Sequence, residues 1–381
     1  MNKFIPLSVP NLKGNELKYV TDAIQKEWVS TGGMYINMFE EKLAEYVGSS
    51  CAVACQSGTA GLHLVLLEAG VTAADEVIVP ALTFIAAVNP VRYVGASPVF
   101  MDCDDTLCMD MDKLQKFIDT SCEMKQGNLY NKTTNKRIKA VIVVHVFGNL
   151  ADMNKLVLIG KKYNLVIIED ATEALGTYYV GNGKKIFAGT IGDFGVFSFN
   201  GNKIITTGGG GMIVGKSGLD HIKYLSTQAK DDELYYTHDE IGYNYRMTNV
   251  QAGIGLAQLE QLETFIKTKQ NNYELYKQLF EHTKIKLQSF RDDIRPNYWF
   301  YSLQLENQNI SDTIKQLEAN NIQTRPIWGL ICDQKPYKQF QTFEVEKARQ
   351  YQQSIINIPC SSNLTGEDVK YVAKKVGEIY E

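Results

Sequence analysis

The stretch Ala140-Val141-Ile142-Val143-Val144, the amphipathic segment Ala151–Tyr163 and then Leu165-Val166-Ile167-Ile168 decide the fold class. Both apolar runs are short and rich in Val and Ile, as strands buried on two faces are, and the segment between them has helical spacing. This strand–helix–strand unit repeats outward along the chain. Cys51–Ala54, Glu76–Val79 and Pro98–Met101 also read as strands, and Gly58–Ala69, Phe84–Tyr93 and Met111–Ile118 as helices. Such alternation implies right-handed crossovers and an α/β architecture with a mostly parallel central sheet covered on both faces. In sheets of this kind a ligand sits beyond the carboxyl ends of the strands.

A second pattern begins near Asn249. Val250–Phe280 carries Leu256, Leu259, Leu262, Phe265 and Ile266 at helical spacing, and Gly366–Tyr380 reads as a final helix. The 381 residues suggest two domains. Residues 1–255 are expected to form the larger one and 256–381 a smaller α+β one; no linker marks the boundary, which falls inside a helix.

A net charge of −4 argues against nucleic acid or anionic membrane as the main partner. No apolar run approaches the roughly 20 residues that span a bilayer, and Met1–Pro6 lacks a long apolar leader, so a cytoplasmic protein is expected. The seven cysteines show no paired CxxC spacing. They read as free, buried thiols, and no metal site is expected.

Four stretches hold more polar chemistry than packing needs. Gln56-Ser57-Gly58-Thr59-Ala60-Gly61-Leu62-His63 is a small polar turn between a strand and a helix, suited either to N-capping or to an anion held by helix N-terminal amides. Val166-Ile167-Ile168-Glu169-Asp170-Ala171-Thr172-Glu173 ends an apolar strand in acids. A carboxylate there is costly unless it meets a cation or donors, although an acid at this place can also cap a helix or ligate a metal. Phe194-Gly195-Val196-Phe197-Ser198-Phe199-Asn200-Gly201-Asn202-Lys203 leads an apolar strand through a turn onto a lysine, and Gly208–Gly211 follow. Such a lysine is either a surface charge or, in a desolvated or cationic setting, a nucleophile able to form a Schiff base. Gly242-Tyr243-Asn244-Tyr245-Arg246-Met247-Thr248-Asn249 is dense in hydrogen-bonding groups ahead of the long helix.

The order of these stretches, with the loop Pro80-Ala81-Leu82-Thr83-Phe84, resembles the fold-type-I pyridoxal-phosphate (PLP) transferases. It is most similar to the nucleotide-sugar aminotransferases of the DegT/StrS group, from about Pro6 to the C-terminus, with an echo at Thr324-Arg325-Pro326-Ile327-Trp328. The resemblance implies that Lys203 carries PLP and shuttles the proton. It implies that Asp170 keeps the pyridine nitrogen protonated, that Phe84 stacks on the ring, and that Gly58, Thr59 and Ser198 hold the phosphate. Asn244 matches a phosphate ligand from a partner subunit, implying a homodimer with shared active sites. Glu173 stands where many relatives have a glutamine against the phenolic oxygen. A second anion there would raise the local proton affinity, or Glu173 is itself protonated.

His145, at another strand end, is either a substrate ligand or a packed structural histidine. Ser30, Thr31 and Arg325 are substrate-binding candidates at a polar entrance; Arg325 suits an anion through two parallel hydrogen bonds, or else makes a structural ion pair. Similarity at Pro6–Pro10, Trp28–Gly32 and Ser198–Lys203 is to a branch that aminates C4 of UDP-linked 4-keto-6-deoxy-N-acetylhexosamines, as in bacillosamine and legionaminic acid pathways, with L-glutamate as donor. The alternatives are a dTDP- or GDP-linked keto-sugar, a related sugar dehydratase (disfavoured because those replace the lysine with histidine), and a non-catalytic PLP-fold protein.

Overall fold

The computed structural model describes residues 3–232, 234–305 and 309–380. The expected strands form β1 (Ala52–Cys55), β2 (Asp75–Pro80) and β3 (Ser97–Met101). After a hairpin, β4 (Cys122–Lys125) and β5 (Asn128–Asn131), come β6 (Arg137–Val144) and β7 (Val166–Asp170). A second hairpin, β8 (Tyr178–Gly181) and β9 (Lys184–Phe187), precedes β10 (Phe194–Ser198) and β11 (Gly211–Gly215). The main sheet runs β1-β11-β10-β7-β6-β2-β3. Its centre is parallel from β10 to β3, β11 runs antiparallel to both of its neighbours, and the β4–β5 hairpin joins antiparallel at β6. In β6 and β7, Ala140, Val141, Ile142, Val143 and Ile168 are completely buried, the signature of a sheet covered on both sides.

Helices α1 (Glu16–Gln25) and α2 (Met34–Val47) precede β1, and α3 (Gly58–Glu68) follows it. The segment Phe84–Tyr93, read from sequence as one helix, splits into a 3₁₀ turn at Ile85–Ala87 and the short α4 (Asn89–Tyr93). The cause is Pro90: without an amide hydrogen it is tolerated in a first turn but not in a helix interior, so the helix restarts just before it. The crossover helices α5 (Met111–Ser121) and α6 (Met153–Tyr163) each begin on an aspartate, Asp110 and Asp152, whose side chain accepts first-turn amides. After β11 come α7 (Leu219–Ser226) and α8 (Asn249–Phe280), whose start is fixed by a reciprocal cap between Thr248 and Gln251.

Helix α8 packs against α1, α2 and, in the C-terminal region, α11 (Gly366–Tyr380). That region contains a four-stranded sheet of β12 (Lys286–Leu287), β14 (Tyr301–Gln304), β17 (Ile355–Ile358) and β15 (Arg325–Pro326). Two of its short strands leave this sheet. β13 (Ile294–Arg295) joins β8, and β16 (Thr342–Phe343) extends the main sheet beside β3. Among the described residues all seven cysteines are free and only Cys51 is exposed; no metal-ligand cluster occurs, and no helix is long and apolar enough to cross a membrane.

Candidate active site

Strands β7 and β10 are parallel neighbours, with Val196 paired to Asp170, so the chain leaves both on the same edge of the sheet. The turn after β1 reaches that edge as well, because β11 returns between β1 and β10. A cavity of about 340 Å³ opens there. Seven residues singled out in the sequence line it: Gly58, Thr59, Phe84, Asp170, Glu173, Ser198 and Lys203.

Part of the cavity lining is the capped start of α3. Ser57 caps α3, its hydroxyl accepting the Ala60 amide at 3.0 Å. The amides of Gly58 and Thr59, in the first helical turn, are left without intrahelical acceptors. Glycine is needed at two places here. A Cβ on Gly58 would lie 2.9 Å from Thr172 Cγ2, and one on Gly211 would lie 2.6 Å from the Ser57 carbonyl carbon.

Glu169 and Asp170 are adjacent strand residues and therefore face opposite sides of the sheet. Glu169 is satisfied by protein: its carboxylate accepts the amides of Gly189, Ile191 and Gly192 and the His145 ring. Asp170 lines the cavity, and its carboxylate accepts one amide, Thr172 N–H at 3.1 Å. Burial pushes its carboxyl above the ordinary carboxylate range. A buried acid with so few donors is suited to a cation in the cavity, and a protonated pyridine nitrogen is one.

Glu173 and Lys203 line the same cavity. Lys203 Nζ lies 3.7 Å from Glu173 Oε1, and Glu173 Oε2 accepts the Phe147 amide at 2.8 Å. Burial pushes the Glu173 carboxyl up to about 7, while the nearby lysine charge opposes that rise. Phe147 donates from a left-handed backbone (φ 55°, ψ 19°) that few non-glycine residues adopt. The next residue, Gly148 (φ 92°), could carry no side chain without colliding with Asn297.

The other candidates lie outside this lining. His145 is fully buried: Nδ1 accepts the Ala151 amide at 3.3 Å, so Nε2 carries the proton and donates to Glu169 at 2.8 Å. Of the two readings left open for it, these partners favour the packed histidine, which braces Glu169. Ser30 and Thr31 are exposed, near a separate cavity bounded by Trp28, Gly33, Tyr35 and Asn249. Asn244 is exposed and bridges Thr227. Arg325 is exposed on β15 and makes no ion pair among the described residues, so the structural ion pair is absent too. Sequence reasoning missed the aromatic wall of Trp299, Phe300 and Trp328. Trp328 ended a quoted segment, but the adjacent pair Trp299-Phe300 carried no motif; its density of aromatic residues was the available signal.

Free helix N-terminal amides, a buried acid and a lysine lining one cavity fit the needs of one cofactor, PLP, and the class of protein they suit is a PLP-dependent aminotransferase. When bound, PLP supplies the electron sink through which an amino group is exchanged for a keto oxygen. The chain belongs to the DegT/DnrJ/EryC1/StrS aminotransferase family, whose model matches residues 10–377. It is 36% identical to the GDP-perosamine synthase of Escherichia coli O157:H7, covering 99% of both chains, and 35% identical to that of Caulobacter vibrioides, covering 98% of both. Its fold matches Helicobacter pylori PseC, an aminotransferase involved in pseudoaminic acid biosynthesis, with a TM-score of 0.88 at 24% identity over 99% of both chains.

Proposed function

We propose that this enzyme moves the amino group of L-glutamate to the keto carbon of a nucleotide-linked keto-sugar, and that the nucleotide is GDP. The observation that carries the reaction is the meeting of Lys203, Asp170 and the Gly58–Thr59 amides in one cavity. In this reading Lys203 holds the cofactor and moves the proton, Asp170 keeps the ring nitrogen charged, Phe84 covers the ring, and Gly58, Thr59 and Ser198 bind phosphate. GDP is favoured by relatives named GDP-perosamine synthase at 34–36% identity over nearly the whole chain. The second reading is transfer to C4 of a UDP-linked 4-keto-6-deoxy-N-acetylhexosamine, supported by the likeness at Trp28–Gly32 and Ser198–Lys203. With glutamate as donor, kcat/KM for GDP-, UDP- and dTDP-linked keto-sugars is expected to be highest for the GDP sugar, by about tenfold or more, the worth of one well-made bidentate contact to the base. A preference for the UDP sugar would reverse the two readings without touching the reaction class.

The sites are further proposed to be shared within a homodimer. Asn244 is exposed outside its own cavity, and the segment around it matches one that crosses between subunits in the family. Mixing inactive Lys203→Ala protein with an inactive Asn244→Ala variant is then expected to restore about half of the activity per mixed dimer, since one whole site of two is rebuilt, and so about a quarter for the sample after random exchange of equal amounts. Absence of recovery despite demonstrated subunit exchange would mean self-contained protomers. Ser30, Thr31 and Arg325 remain proposed sugar-nucleotide contacts of the assembled site. The division at residue 255 likewise remains a proposal; it is supported by the separate four-stranded sheet beyond α8.

A further inference from the structure

Lys203 stands in a notch with two unlike walls. Glu173 Oε1 lies 3.7 Å from Nζ, and the centroid of the Trp299 ring lies 4.0 Å from it. The two walls are tied together. Asn297 Oδ1 accepts the Trp299 amide at 2.9 Å, and Asn297 Nδ2 donates to the Glu173 carbonyl at 2.9 Å. Trp299 is also fastened to the lysine turn, because its Nε1 donates to the carbonyl of Asn202 at 2.7 Å, and it stacks on Phe300 with centroids 4.1 Å apart. Glu173 is fixed from the far side by the Phe147 amide. The carboxylate and the ring face are therefore held in place independently of the lysine and converge on its amine. The other ionisable group in the lining is Asp170; Glu169 and His145 lie behind the strands and satisfy each other.

We propose that Glu173 and the face of Trp299 form the resting site of the Lys203 side chain during the part of the catalytic cycle in which it is not joined to the cofactor, and that they hold its amine in place as the cation. The proposal rests on the PLP reading of the same cavity. The carboxylate and the aromatic face both favour the charged form and converge on the amine from two sides. A glutamine at 173 could accept a hydrogen bond but would lack the charge. Glu173 and Trp299 thus act on the substrate through Lys203, as positioning residues.

The test uses the apo protein, so that no turnover is needed. Labelling of Lys203 by trinitrobenzenesulfonate is followed against pH by peptide mass spectrometry, with exposed Lys132 as internal control. An opposite charge at this distance favours the ammonium, so Glu173→Gln is expected to raise labelling of Lys203 near pH 8 about tenfold, with Lys132 unchanged. Glu173→Asp should fall between the two. Trp299→Leu should raise labelling by a smaller amount, and Trp299→Phe should restore the wild-type level; if the leucine variant does not fold, the Glu173 pair decides. Coincident curves for wild type, Glu173→Gln and Glu173→Asp would overturn the resting site. Borohydride reduction of the holoenzyme separates the two failures. PLP fixed to Lys203 with coincident curves sinks only the resting site, whereas PLP fixed elsewhere sinks the reading beneath it.

Discussion

Lys203→Ala is expected to lower turnover by about a hundredfold to ten-thousandfold, the usual worth of a positioned proton-transfer group, and by more where the covalent step is also lost. PLP should still bind, because the cradle of Gly58, Thr59 and Ser198 and the acid Asp170 are contributed by other parts of the chain. The purified wild type should be yellow, and borohydride should fix the cofactor to the peptide holding Lys203. The variant should release its PLP on desalting under denaturing conditions even after reduction. A variant that turns over at the wild-type rate would mean that Lys203 is only a buried cation beside Glu173.

Asp170→Asn is the second large effect. In the proposed role the carboxylate would favour a protonated ring nitrogen by about one to three pKa units, so loss of the anion is expected to reduce turnover by on the order of ten- to a thousandfold. Stability should move the other way or not at all. Burial holds the Asp170 carboxyl above its unfolded value, so the group lends stability at low pH and that contribution fades as pH rises through its folded value. Above its folded value the ionised form is a burden on the apo fold, and asparagine removes it. Turnover is read from steady-state rates and stability from apo melting at pH 7.5. Wild-type turnover would reduce Asp170 to a partner for the Thr172 amide.

The parallel sheet was legible in the sequence because β2, β3, β6 and β7 each contain a short unbroken apolar run, Val77–Val79, Pro98–Met101, Ala140–Val144 and Val166–Ile168, as two-sided burial requires. The hairpins β4–β5 and β8–β9 were not, since Cys122–Lys125 and Lys184–Phe187 expose most of their side chains and carry no apolar pattern. Within the site, the strand-end acid, the turn lysine and the capped glycine turn announced themselves because each is an awkward residue for a core. The aromatic wall did not: Trp299 looks in sequence like any core residue, and only the tertiary fold carries it almost a hundred positions back to the Asn202 carbonyl. His145 stayed open between two readings for a related reason. A strand end near the site marks the right neighbourhood, but not whether a ring faces the cavity or the layer behind it.

The placement of β11 has a consequence for how the molecule is made. β1 finds its ladder partner only in β11, about 160 residues later, apart from a single bridge between Cys55 and Arg246. During synthesis the β3–β2–β6–β7 part of the sheet can assemble as its strands emerge, while β1 waits with an open edge until Gly211–Gly215 has left the ribosome. Pairings across such sequence distances form late and leave strand edges exposed to wrong partners. Because the Ser57–Gly58 turn is seated against Gly211, the phosphate cradle is completed by the same closing event. A nascent chain cut before Gly211 would therefore hold most of its sheet and nearly every residue proposed to touch the cofactor, yet expose a sticky edge where the cradle should be.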